Sequence, residues 1–101
     1  MRHSVKSVRN ARFRKAFEKL PDSVQQNARN AYQRFRANPF DPALKFHEIK
    51  GTRTPAVYAV DAGTYLGTAY RALGIWQKRK DVIVWFWIGS HEEYNQSIKR
   101  L

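Results

Sequence analysis

Residues 82–89, "VIVWFWIG", constrain the fold more than any other stretch. Every residue before the glycine is β-branched or aromatic, so the run reads as a strand. By strict alternation Val82, Val84, Phe86 and Ile88 share one face, and Ile83, Trp85 and Trp87 share the other. Both faces are apolar and both need cover. A single helical layer covers only one. Either the C-terminal segment and long side chains shield the second face, or a partner does, since large exposed apolar patches mark interaction surfaces.

The helical layer is legible upstream. Phe13, Ala16, Phe17 and Leu20 recur at the spacing of one helix face, with Arg12, Arg14, Lys15 and Lys19 on the others. Leu20-Pro21 ends that helix, because the residue before proline is pushed out of the α region. Asp22 or Ser23 is placed to cap a second helix, in which Val24, Ala28, Ala31, Tyr32 and Phe35 share a face. Asn38-Pro39 stops it. Two amphipathic helices around a proline turn make a helical hairpin.

After "NPFDPAL" the period changes toward two. Residues 3–8 (a weak edge strand), 44–50, 56–61 and about 65–76 read as strands, with a turn at Asp61-Ala62-Gly63. Ser90 is placed to cap a short C-terminal helix, with Glu92 and Glu93 in its first turn and Lys99 and Arg100 in its last. Segregated helices and strands predict an α+β fold: a helical hairpin packed on one face of a small antiparallel sheet, plus the short helix. At 101 residues, positions 1–101 form a single domain.

Charge narrows the partners. The chain has 19 Lys+Arg against 8 Asp+Glu, a net charge of +11. Residues 1–36 hold only Glu18 and Asp22 as acids. Such an excess in so short a chain points to a polyanion, nucleic acid first, although a solvated basic surface gives the same count. The absence of cysteine excludes disulfides and thiolate catalysis. No apolar run reaches the ~20 residues of a membrane span, and the basic N-terminus lacks the apolar core of a secretory signal, so a cytoplasmic protein without membrane association is expected. No pattern calls for a metal or another cofactor.

The ordered set of "LPDSV", "NPFDPALKFHEIKG", "VYAVDAG", "AYRALG" and "VWFWIGSHEEY" resembles the RelE/ParE superfamily of type II toxin–antitoxin toxins over nearly the whole chain. Its motifs are closest to the YafQ/RelE-like mRNA interferases. The resemblance implies a cytoplasmic toxin neutralised by an acidic antitoxin. Its activity would be ribosome-dependent cleavage of mRNA by an endoribonuclease, which inhibits translation. The ParE branch instead implies inhibition of DNA gyrase, and a non-catalytic nucleic-acid-binding domain on the same fold is a third reading. The family's strand arginine matches Arg71. The residue two positions past the glycine that ends the last strand matches His91, as in the Gly-Thr-His of the YafQ-like branch. That branch also has a histidine before "LKG", matched by His47 in "HEIKG". A C-terminal aromatic matches Tyr94. Asp61 stands in a strand where many members carry a basic residue, which favours the gyrase reading.

The chemistry sorts these residues. Attack of a 2′-hydroxyl on the adjacent phosphate needs a base, an acid at the leaving 5′-oxygen, and positive charge at the phosphate. Histidine titrates near neutrality and serves as either acid or base. Arginine is a fixed fork of donors and cannot be the base. His91 is therefore an acid–base candidate, or else a capping residue held by Glu92 or Glu93. Arg71 either binds phosphate or pairs with Asp61. His47 and Glu48 are adjacent on a strand, so at most one shares a face with Arg71. Tyr94 either stacks on a base or orients the phosphate, or it packs the terminal helix. Lys50 and Arg53 flank a loop and suit RNA-backbone contact.

Overall fold

The computed structural model describes residues 5–49 and 56–98. Lys50, Arg53, Lys99 and Arg100 lie outside the described residues. The chain runs β1 (Lys6–Arg9), α1 (Ala11–Glu18), α2 (Asp22–Ala37), a 3-10 turn (Pro42–Leu44), β2 (His47–Glu48), β3 (Val57–Tyr65), β4 (Thr68–Gln77), a 3-10 turn (Lys78–Lys80), β5 (Val82–Ser90) and α3 (His91–Ile98). No described helix is long and apolar enough to cross a membrane.

Asn10 starts α1: its side-chain oxygen accepts the Phe13 N–H at 2.9 Å, satisfying a donor that the first turn leaves open. At the other end the Gln25 amide reaches back from α2 and donates to the carbonyls of Phe17 (3.0 Å) and Leu20 (3.3 Å). This ties the two helices at their turn. Pro21, rather than Asp22 or Ser23, occupies the capping position of α2 and offers no side-chain acceptor. Asp22 is the first helical residue instead, where its charge favours the helix N-terminus.

The sheet order is β1-β5-β4-β3-β2. Four strands are antiparallel, as expected, but β1 lies parallel to β5 at the edge. A parallel neighbour needs a long crossover. Almost the whole chain separates β1 from β5, so no local turn chemistry could announce the pairing. The expected strand over 44–50 shrinks to two described residues, because a 3-10 turn occupies Pro42–Leu44 and Lys45 is left-handed at φ 49°.

The turn expected at Asp61–Gly63 is instead a bulge within β3. The β3–β4 register shifts between Asp61 and Thr64, and Gly63 sits there at φ 100°. Glycine alone adopts that conformation at little cost. The hairpin turn lies further on, at Leu66-Gly67, both with positive φ (50° and 78°) as a two-residue hairpin loop requires.

A second bulge corrects the alternation of β5. Leu73 pairs with Trp87, but Gly74 pairs with Trp85, leaving Phe86 as the extra residue. Val82, Val84 and Phe86 therefore keep one face, whereas Ile88 crosses to the face of Ile83 and Trp85, and Trp87 leaves it. Ile83, Trp85 and Ile88 pack under the hairpin with Phe13 and Phe35. Phe86 and Trp87 join Val57, Ala59, Leu73 and Tyr94 on the opposite face. The C-terminal helix thus covers much of that second face.

Trp85 is the centre of the first layer. It is 6% exposed, meets the Phe35 ring edge-on at 5.4 Å, and donates its indole N–H to Ser7 Oγ at 3.2 Å. Trp85→Ala should cost roughly 3–5 kcal/mol by cavity formation, read as a lower midpoint in urea unfolding. A midpoint within error of the wild type would remove Trp85 from the core.

Candidate functional site

The β4–β5 register sets Tyr70 opposite Ser90 and Arg71 opposite Gly89, so Arg71 stands beside the point where β5 gives way to α3. It lies on the sheet face that α3 covers, the face of Leu73 and Trp87. The guanidinium carbon is 5.5 Å from the centroid of the Tyr94 ring. Tyr94 is in turn stacked with His91 at 5.8 Å and 19°. Arginine, tyrosine and histidine therefore form a short row, with His91 exposed at its outer end.

Ser90 and Glu93 hold this corner. The Glu93 N–H donates to Ser90 Oγ at 3.2 Å, while the Ser90 N–H and hydroxyl both donate to Glu93 Oε1 at 3.0 Å. This is a reciprocal capping box, which satisfies donors at both residues. The cap is Ser90 with Glu93, so His91 is not the capping residue. Among the described residues its ring bonds to neither Glu92 nor Glu93, and its neighbour is Tyr94. Gly89 is required by close approach. A Cβ there would lie 2.5 Å from Trp87 Cζ2 and 3.0 Å from Glu93 Oε1. The missing side chain lets the Trp87 ring lie across the end of the strand.

Arg71 Nε is buried and has no hydrogen-bond partner among the described residues. Asp61 is its Cα partner on β3, yet the Asp61 carboxylate accepts the Gly63 N–H at 3.0 Å. No Arg71–Asp61 ion pair forms; among the described residues the salt bridge is Arg34 with Asp41, at 3.8 Å. A buried donor left unpaired is costly. An anion arriving under Tyr94 would satisfy it, with the charge-assisted geometry that guanidinium offers to phosphate.

His47 pairs with Ala59 and so shares the face of Leu73 and Arg71. It stands two strands from β4, about 10 Å across the sheet. Its Nδ1 is 2.6 Å from the Lys45 carbonyl. A carbonyl only accepts, so Nδ1 carries the proton in the neutral ring and Nε2 keeps its lone pair. Glu48 pairs with Tyr58 and accepts its hydroxyl at 3.4 Å, on the other face. The fold thus separates Glu48 from Arg71, His91 and Tyr94, and leaves His47 at a distance. Among the described residues no group of His, Cys, Asp and Glu could hold a metal ion. The Glu93 half of the capping box and the close approach of Trp87 to Gly89 escaped the sequence reading, although Ser90-x-x-Glu93 spells the box.

No protein-family model and no curated protein matches the sequence. Solved structures do. A RelE–RelB complex from Pyrococcus horikoshii matches with a TM-score of 0.65 at 15% identity, over 87% of this chain and 96% of that one. A free E. coli RelE toxin with two arginines replaced by alanine matches with a TM-score of 0.65 at 19% identity, over 98% and 99%. The intact E. coli RelBE complex gives 0.60 at 16%, over 85% and 95%. The chain has a RelE-like fold. The likeness extends over 85–98% of the chain.

Two substitutions test the corner. Gly89→Ala should displace the Trp87 ring and lower stability by roughly 1–3 kcal/mol through overpacking. Ser90→Ala should cost about 1 kcal/mol through the lost cap. Tryptophan fluorescence and denaturant unfolding read both effects. A Gly89→Ala protein with the wild-type spectrum and midpoint would show that the ring does not occupy this position.

Proposed function

We propose that this protein is the toxin of a type II toxin–antitoxin pair, and that it acts as a ribosome-dependent mRNA endoribonuclease in the cytoplasm. The observation that carries the reading is the unpaired, buried Nε of Arg71 under Tyr94, with the exposed His91 imidazole stacked on that tyrosine. The RelE-like fold supports it.

In the proposed reaction the 2′-oxygen forms a bond to the adjacent phosphorus as the bond to the 5′-oxygen breaks. The 2′-hydroxyl proton passes to a base and the 5′-oxygen takes a proton from an acid. Arg71 holds the phosphate oxygens as negative charge builds on them. His91, exposed at the strand end, is the acid at the leaving oxygen. His47 offers Nε2 as the base from across the face, bridged by the substrate. Tyr94 positions the phosphate through its contact with Arg71. Glu48 has no part in the reaction. Lys50 and Arg53 contact the RNA backbone in this reading. An acidic antitoxin segment is the proposed inhibitor. It would fold as it wraps the basic surface.

A second reading is inhibition of DNA gyrase on the same fold, and Asp61 favours it. A carboxylate opposite Arg71 lowers the local positive charge that phosphate chemistry requires.

Expression without an antitoxin should arrest bacterial growth. His91→Ala should lower cleavage of ribosome-bound mRNA about 10²–10⁴-fold, the usual worth of acid–base help, with stability nearly unchanged. Arg71→Met, which keeps the side-chain stem under Tyr94, should slow cleavage and weaken RNA binding together. Wild-type cleavage by the His91→Ala variant would refute the catalytic assignment. Growth arrest without RNA cleavage, accompanied by gyrase–DNA adducts, would establish the second reading instead.

A further inference from the structure

The end of the sheet remote from Arg71 carries a different combination of groups. Phe40 is 54% exposed although it lies within an aromatic cluster. Its ring is 6.3 Å from Phe46 and 6.2 Å from Trp76. The Lys78 ammonium stands 5.5 Å from the Trp76 ring and 5.9 Å from Tyr58. Lys78, Arg79 and Lys80 are consecutive and all exposed on their 3-10 turn. Lys6 reaches the same end, its N–H donating to the Asp81 carbonyl at 2.8 Å. Of the nearby acids, Asp41 is engaged with Arg34 and Glu48 with the Tyr58 hydroxyl, while Asp81 follows Lys80 at the end of the turn.

The backbone that presents Phe40 is tied by local hydrogen bonds. The Phe40 N–H donates to Asn38 Oδ1 at 3.0 Å, and Asp41 caps the following turn by accepting the Ala43 N–H at 2.9 Å. The Tyr58 hydroxyl, by hydrogen bond and then by charge, raises the Lys78 pKa above the usual lysine value, so the ammonium stays charged. An apolar protein partner would not favour three adjacent cations, whereas a polynucleotide needs both stacking surface and positive charge.

We infer that this end of the sheet is a second RNA-contact surface, on which an unpaired base stacks against Phe40 while Lys78, Arg79 and Lys80 take the flanking phosphates. The surface lies apart from the Arg71 end of the candidate active site, and on the other face of the sheet from His47, which follows Phe46 in the chain. Gln77, the last residue of β4 and the one before Lys78, lies six residues beyond Arg71, about 20 Å at ~3.3 Å per residue. Tyr58 belongs to the layer under the hairpin, and Tyr94 to the opposite one. The inference rests on the ribonuclease reading for the choice of RNA over DNA.

The test uses a 2′-O-methylated uridine oligonucleotide, which cannot be cleaved, with binding followed by fluorescence anisotropy over a salt series. Phe40→Ala should weaken binding about 5-fold or more, the lower bound for loss of a base–aromatic stack. Arg79→Gln with Lys80→Gln, which spares the ring contacts of Lys78, should reduce the log–log salt slope by about 1.4, at about 0.7 per single-strand phosphate contact. Circular dichroism checks that these exposed substitutions leave the fold intact. Unchanged affinity in Phe40→Ala, or an unchanged slope in the double variant, overturns the inference. So does competition by polyglutamate at equal charge concentration as effective as that by RNA, which would mark an acidic-protein surface. Because the probe is not cleaved, these outcomes are independent of the His91→Ala assay, by which the ribonuclease reading stands or falls.

Discussion

Burial of β5 on both faces is the constraint from which the rest of the structure follows. A strand apolar on both sides cannot stand at a sheet edge with one face in water. It becomes an inner strand here, flanked by β1 and β4. One face is covered by the helical hairpin through Phe13 and Phe35, and the other by α3 through Tyr94. The second cover has a functional consequence. The helix that shields the lower layer starts immediately after β5, so the chain must turn sharply at Gly89-Ser90. That turn brings Tyr94 beside Arg71, with His91 stacked on Tyr94.

The same packing explains why the charged end of Arg71 is held in place. Its neighbour across β3 is Asp61, which would be the natural counter-ion. The bulge at Gly63 engages the carboxylate with a backbone N–H instead. Tyr94 supplies a ring face to the guanidinium, a weaker partner than a carboxylate, and Nε has no hydrogen-bond partner among the described residues. In the proposed reading that unpaired donor is where a phosphate binds. In a chain of net charge +11, the surrounding field adds to its attraction for a polyanion.

Much of this was legible in particular residues. Phe13-Ala16-Phe17-Leu20 and Val24-Ala28-Ala31-Phe35 announced the hairpin because helix periodicity needs only local sequence. Ser90 announced the start of α3. The bulges were not legible. Gly63 looked like a turn because glycine marks both turns and bulges, and only the partner strand decides which. At Phe86 three aromatic residues in succession gave no sign of where the alternation would slip. The slip itself depends on how Leu73 and Gly74 of β4 meet their partners. The parallel β1–β5 pair was equally hidden, since it joins the two ends of the described chain.

The sequence by itself determined the α+β class, the order of its main elements, the positive charge and the identity of the groups able to act on a phosphate. These depend on composition and on periodicities within a few residues. Tertiary structure decided which groups share a face and which stay apart. Arg71, Tyr94 and His91 meet because the β4–β5 register and the turn at Gly89 superimpose residues far apart in the chain. Glu48 is excluded by the pleat that admits His47. Asp61 is denied to Arg71 by one extra residue in β3. Each outcome follows from strand pairing, and pairing is set by contacts between distant segments.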